Sequence, residues 1–104
     1  MNTEQKFNLL ISEEKSFLSF FKANFPLFHN SNLFLRDFQY SIKRFLELKG
    51  YKINFKEVDT ISKMYVNFFE GNGTFIKINH FTWKLNYTDF ITSPPLKQEE
   101  VVSK

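Results

Sequence analysis

The amino-acid sequence predicts an α+β fold: three helices packed on a C-terminal β-hairpin, in the order of a winged helix. Three observations predict it. Apolar residues recur at helical spacing through the first two-thirds of the chain. Strict alternation follows, with Phe81, Trp83, Leu85 and Tyr87 on one face and Thr82, Lys84, Asn86 and Thr88 on the other. Breakers at Pro26, Gly50 and Gly71-Asn72-Gly73 divide the segments where the periodicity stops.

The first helix is expected over residues 3–23. Phe7, Leu10, Ile11, Phe17, Leu18 and Phe21 make its apolar stripe, and Glu13, Glu14, Lys15 and Lys22 its wet side. Pro26 ends it, because the residue before proline avoids the α region. The second helix is expected to start after Asn30 or Ser31, both good N-caps, and to run to Lys49 with Leu35, Phe38, Ile42, Phe45 and Leu46 buried. Gly50 suits the left-handed residue that closes a helix. Residues 51–54 alternate and form a candidate short third strand. Asn54 and Glu57 make a capping-box pattern that opens a third helix over 55–70. Its stripe is Val58, Ile61, Tyr65 and Phe68.

Phe75-Ile76-Lys77-Ile78 is strand-like and precedes the alternating segment. With Asn79-His80 as a two-residue turn, Ile78 falls opposite Phe81 and Ile76 opposite Trp83, which puts all four on one face. The expected core is Leu10, Phe17, Phe21, Phe38, Ile42, Phe45, Val58, Ile61, Phe68, Ile76, Ile78, Phe81 and Trp83. Residues 1–91 read as one domain. Residues 92–104, with Pro94, Pro95 and a charged end, read as a tail that is disordered unless a partner holds it.

Phenylalanine fills 15 of the 104 positions and cysteine none. Each buried Phe stabilises by roughly 1.5–3 kcal/mol, so the chain can fold without disulfides or metals. The twelve Lys against two Arg, with abundant Asn and Ile, match the codon usage of an AT-rich gene, from a bacterium, organelle, parasite or phage. That usage accounts for the choice of Phe over Leu, not for the number of apolar positions.

Without cysteine there is no thiol nucleophile, thiolate metal site or disulfide framework. The histidines His29 and His80 are too few for a metal site of three or four converging ligands and are expected in exposed loops. The carboxylates are scattered, and Gly71-Asn72-Gly73-Thr74 follows a helix, the reverse of a phosphate-binding loop. No catalytic role, cofactor or small-molecule substrate is expected. Nothing resembles a signal peptide or a membrane span, so the expected location is cytoplasmic or inside an assembled particle or organelle.

Two readings of function remain. The first is a non-catalytic interaction or structural subunit, an accessory protein of phage, organellar or inhibitor type, that docks on itself or on a larger assembly. Rings outside the main stripes carry it: Phe20, Phe25, Phe28, Tyr40, Tyr51 and Phe90, with Phe75 as a further candidate and Pro94 and Pro95 as an extended arm. Twenty aromatic side chains are more than a domain of this size is expected to enclose, and interface cores are enriched in such rings. The alternative is winged-helix-like nucleic-acid binding through helix 55–70 and the basic hairpin. It uses Arg36, Lys43, Arg44, Lys56, Lys63, Lys77 and Lys84, with Ser62 and Asn67 outward. The net charge of +3 is modest for such a role.

Overall fold

The computed structural model describes residues 2–90. Residues 92–104, including Pro94 and Pro95, lie outside the described residues. The architecture is α+β: four helices and a three-stranded antiparallel sheet. The helices are α1 (Thr3–Ser12), α2 (Glu14–Asn24), α3 (Leu35–Leu48) and α4 (Phe55–Gly71). The strands are β1 (Asn32–Phe34), β2 (Phe75–Asn79) and β3 (Thr82–Leu85), in the order β1-β3-β2. A 3-10 turn, Thr88–Phe90, follows.

The single helix expected over 3–23 is two helices, broken at Glu13. Glu13 closes α1 and opens α2 with φ −114° and ψ 34°. Several local preferences combine there. The Ser12 hydroxyl donates to the Leu9 carbonyl at 2.8 Å, competing with the backbone ladder. Acidic Glu14 sits in the first turn of α2, where the helix dipole favours it. Lys49 reaches Glu13 at 2.7 Å from the end of α3. The break lets α1 lie on α4 while α2 lies on α3. Tyr65 donates its hydroxyl to the Leu10 carbonyl at 2.7 Å, from inside the core. Burial pushes the Tyr65 hydroxyl's pKa well above its ordinary value, and the Glu14 carboxylate adds to the shift.

The third strand is Asn32–Phe34, not residues 51–54. Asn32, Leu33 and Phe34 face Lys84, Trp83 and Thr82 of β3. Asn30, in the left-handed region at φ 71°, turns the chain into it and donates to the Leu85 carbonyl at 2.6 Å. Pairing carries Leu33 into the core, so α3 starts only at Leu35. Residues 51–54 lack strand partners because their polar groups are used elsewhere. Tyr51 N–H bonds Leu46 O at 3.0 Å and Gly50 N–H bonds Glu47 O at 2.9 Å. With Gly50 at φ 93° this is the Schellman closure, and Gly50 takes the left-handed position expected of it. The Lys52 carbonyl accepts from Lys6 Nζ at 2.7 Å. Asn54 caps α4 as expected, accepting from Glu57 N–H at 2.9 Å. The Glu57 side chain does not reach back to complete a box. It takes Lys6 Nζ at 2.8 Å and Thr3 Oγ1 at 2.7 Å instead.

The hairpin register is one residue away from the expected one. Phe75 faces Leu85, Ile76 faces Lys84 and Lys77 faces Trp83, with a bulge at Ile78 before Asn79 meets Thr82. A one-residue slip exchanges the faces. Phe75, Trp83 and Leu85 therefore point to the helices, while Ile76, Ile78 and Phe81 are exposed rather than core. Two interactions hold this register. The Phe75 ring packs 4.6 Å from Phe69 and 5.3 Å from Phe38. The Asn79 side chain accepts from Phe81 N–H at 2.8 Å and so moves the turn to His80-Phe81. Of the other expected core residues, Phe68 is half-buried, and Leu10, Phe17, Phe21, Phe38, Ile42, Phe45, Val58, Ile61 and Trp83 are buried.

The centre of the core is a run of rings. Tyr65 lies 4.4 Å from Phe69 and 5.2 Å from Phe17, and Phe17 lies edge-on to Phe38 and Phe45. Edge-to-face pairs add about 0.5–1.5 kcal/mol each beyond area burial. Trp83 satisfies its indole N–H on Glu70 at 2.7 Å. The Ser41 hydroxyl is buried with no hydrogen-bond partner among the described residues.

Candidate docking groove

The expected interface rings divide into covered and bare ones. Phe90 is buried, edge-on to Tyr87 at 4.8 Å. Phe75 is buried in the core. Phe20, Phe25 and Tyr51 are half-buried against the core. Phe28 is 43% exposed beneath Lys22, whose ammonium sits 4.7 Å from the ring centre. Tyr40 is 52% exposed. Exposed side chains that the sequence pattern did not single out for docking are Phe34, Leu48, Phe55, Ile76, Ile78 and Phe81.

The bare apolar side chains gather in two places. Phe34, Ile76, Ile78 and Phe81 belong to the sheet and its turn; Phe34 and Ile76 face Thr82 and Lys84, on the side of β3 opposite buried Trp83 and Leu85. The main-chain bond from Leu35 N–H to Phe81 O, 2.8 Å, ties the turn to the end of β1. The second place is a groove of about 630 Å³ between α3 and the first turns of α4. That volume falls within the usual range for ligand sites, about 300–1,000 Å³.

The groove follows from helical spacing. Arg36, Tyr40, Arg44 and Leu48 recur every fourth residue, so they form one ridge of α3, turned away from the buried stripe of Phe38, Ile42 and Phe45. Phe55 is the first residue of α4 after the Asn54 cap, one turn before buried Val58, and is 82% exposed. Tyr40, Phe55 and Val58 line the groove together with Arg36, Lys43 and Arg44. Gln39 and Asp59 complete it, with Gln39 Nε2 donating to Ser62 Oγ at 3.1 Å and to Asp59 Oδ1 at 3.4 Å. Tyr40 is braced from behind by Phe25, edge-on at 6.0 Å.

The groove is net positive. Lys43 and Arg44 share the Glu47 carboxylate, Arg44 at 2.9 Å. Hydrogen bonds from Lys43 and then Arg44 hold the Glu47 carboxyl below its usual pKa. Lys63 pairs with Asp59 at 3.1 Å. Among the described residues Arg36 has no ion-pair partner.

The remaining cations lie elsewhere. Lys63 and Lys77 flank a hollow beside Trp83, Glu70 and His80. Lys56 borders a shallow hollow with Thr3 and Glu57. Lys84 pairs with Ile76 and Asn32 across the sheet. Ser62, expected outward on the recognition helix, is buried. His29, expected in the open, is half-buried, and its Nδ1 accepts from Tyr87 N–H at 3.1 Å. Among the described residues no group of three or more acidic or histidine side chains could hold a metal ion, and no helix is long and apolar enough to cross a membrane. No family model, curated protein or solved structure matches the chain.

Proposed function

We propose that this chain is a non-catalytic interaction subunit that docks on other protein surfaces through the α3–α4 groove, with the exposed apolar residues of the sheet and its turn as a second contact. One observation carries the reading: the bare Phe55 ring stands beside Tyr40 on a preformed groove. Leaving a ring of this size in water forgoes roughly 1.5–3 kcal/mol that burial would supply, and rings set in a groove are the usual anchors of protein interfaces. Phe34, Ile76, Ile78 and Phe81 add exposed apolar area in the sheet and its turn, on the order of 400 Å² together. A place in the cytoplasm or within an assembled particle goes with this role.

The test compares the full chain with Tyr40→Ser/Phe55→Ser and with Ile78→Ser/Phe81→Ser. Sedimentation across the micromolar range and capture from the native source, quantified by mass spectrometry, are the measurements. The expected result is association that one or both double variants lose while their melting temperatures hold. A chain that stays monomeric, and captures the same set of proteins as both variants, would sink the proposal.

The second reading, nucleic-acid binding through α4 and the hairpin, draws on Lys63 and Lys77 bordering one hollow beside Trp83. It requires affinity that falls steeply with salt and is lost in Lys63→Glu.

A further inference from the structure

We propose that the α3–α4 groove takes an acidic amphipathic helix presented by a different protein. This rests on the docking reading above and names the chemistry of the partner. Three features of the groove lead to it.

The first is charge. Lys43 and Arg44 share one carboxylate, Glu47, which leaves one positive charge uncompensated there. Asp59 is matched by Lys63. Arg36 adds a second uncompensated charge at the other end of the same ridge. Two charges at the rim suit one or two carboxylates of an incoming segment. A phosphate chain carries a charge at every residue and would meet Glu47 and Asp59 as well, so the groove favours an acidic peptide over a nucleic acid.

The second is backbone chemistry. The walls of the groove are side chains of two helices. No strand edge lines it, so an extended peptide would find no main-chain partners for its own N–H and C=O groups. A helix satisfies its own backbone and needs only side-chain contacts, as in helix-in-groove recognition.

The third is length. The α3 residues that line the groove run from Arg36 to Arg44, about 12 Å at 1.5 Å per residue. That accommodates about two turns of a partner helix, with apolar side chains on Tyr40, Phe55 and Val58 and carboxylates toward Arg36 and Arg44. Helices α1 to α4 bury their own apolar stripes in the core. A second copy therefore offers no such helix among the described residues, and the partner is another protein.

The experiment selects displayed random peptides on the immobilised full chain. Enriched sequences are then measured against the chain, Arg36→Glu/Arg44→Glu and Tyr40→Ser/Phe55→Ser, by fluorescence anisotropy and circular dichroism. These side chains are at the surface, and thermal melts verify that each variant folds. The expected peptides are net negative, with apolar residues at i, i+3 or i+4 and i+7. They gain helix on binding, weaken about tenfold or more in the charge-reversed variant, and lose binding in Tyr40→Ser/Phe55→Ser. Enrichment of neutral, basic or extended peptides would overturn the acidic-helix proposal and leave the groove a docking site. So would tighter binding of a single-stranded oligonucleotide at the same residues. Enrichment no greater on the chain than on Tyr40→Ser/Phe55→Ser would overturn the docking reading itself.

Discussion

Lys6→Met tests the polar clamp that holds α1 to the start of α4. Lys6 is 5% exposed, and its ammonium donates to Glu57 Oε1 at 2.8 Å and to the Lys52 carbonyl at 2.7 Å. Methionine keeps most of the apolar stem and removes the charge. Each charge-assisted bond contributes about 1.5–3 kcal/mol. Against that loss stands relief from desolvating the ammonium. The Glu57 side chain is 18% exposed and keeps Thr3 Oγ1, so its carboxylate is not stranded. The net cost should be about 2–3 kcal/mol, below the 3–5 kcal/mol for breaking a fully buried pair. For a domain of this size that lowers the melting temperature by roughly 10–20 °C.

The assay is urea and thermal denaturation of the wild type, Lys6→Met, Glu57→Gln and Lys6→Met/Glu57→Gln. The double variant should recover about 1 kcal/mol or more relative to the sum of the singles, because the two sites are in contact. The cycle also has a pH signature. Hydrogen bonds from Lys6 and then Thr3 hold the Glu57 carboxyl below its usual pKa. Its stabilisation is therefore fully present above the unfolded glutamate value, about 4.3, and is lost as pH falls through the lower folded value. Lys6→Met should flatten stability in that acid window. A Lys6→Met cost under about 0.5 kcal/mol, or strict additivity, would refute the reasoning.

Further outcomes are expected from the same physics. Tyr65→Phe should cost about 1–2 kcal/mol, measured in urea, because the Leu10 carbonyl loses its buried donor. Ser41→Ala should stabilise by about 0.5–1 kcal/mol, seen as a higher melting temperature, since the hydroxyl it removes is buried without a partner among the described residues. Gly50→Ala should destabilise by about 1–2 kcal/mol, because the residue sits at φ 93° where a Cβ is strained. Asn54→Ala should lose about 1 kcal/mol and fray the start of α4, detected by faster amide exchange at Glu57.

The features legible in the sequence were those set by neighbouring residues. The stripes of α3 and α4, the Gly50 closure and the Asn54 cap depend on residues within a turn or two of each other. The features that escaped depend on distant partners. Asn32–Phe34 has three residues and no alternation to read; only β3 makes it a strand. The break at Glu13 serves two helices that α1 and α2 must reach separately. The hairpin slipped because Phe75 has Phe69 and Phe38 to meet, and pattern within the hairpin cannot reveal them. Nothing near Lys6 in the sequence marks it as buried; Glu57 and the Lys52 carbonyl, about fifty residues on, surround it.

The candidate groove divided in the same way. Tyr40 was picked out because it falls off the buried stripe, and Arg36, Lys43 and Arg44 as a basic cluster. The sequence pattern points the ring and the cations to different partners, and the fold joins them. Phe55 was missed, although the signal was present: a large ring directly after a capping asparagine, one turn ahead of the buried stripe. Ile76 and Ile78 are expected in the core because the hairpin pattern alone favours the other register, and Phe81 because it alternates with Trp83 and Leu85.

The pairing of Asn32–Phe34 with Thr82–Leu85 has a consequence for biosynthesis. During translation the segment around Leu33 is made long before the residues that wall it in. Until the hairpin clears the ribosomal exit tunnel, Leu33 and the rings of Phe38 and Phe69 have no sheet to cover them. The nascent chain must carry Leu33 unsealed while the fifty residues up to Trp83 are made. Arrest just before Trp83 would therefore yield a chaperone client rather than a partly folded domain.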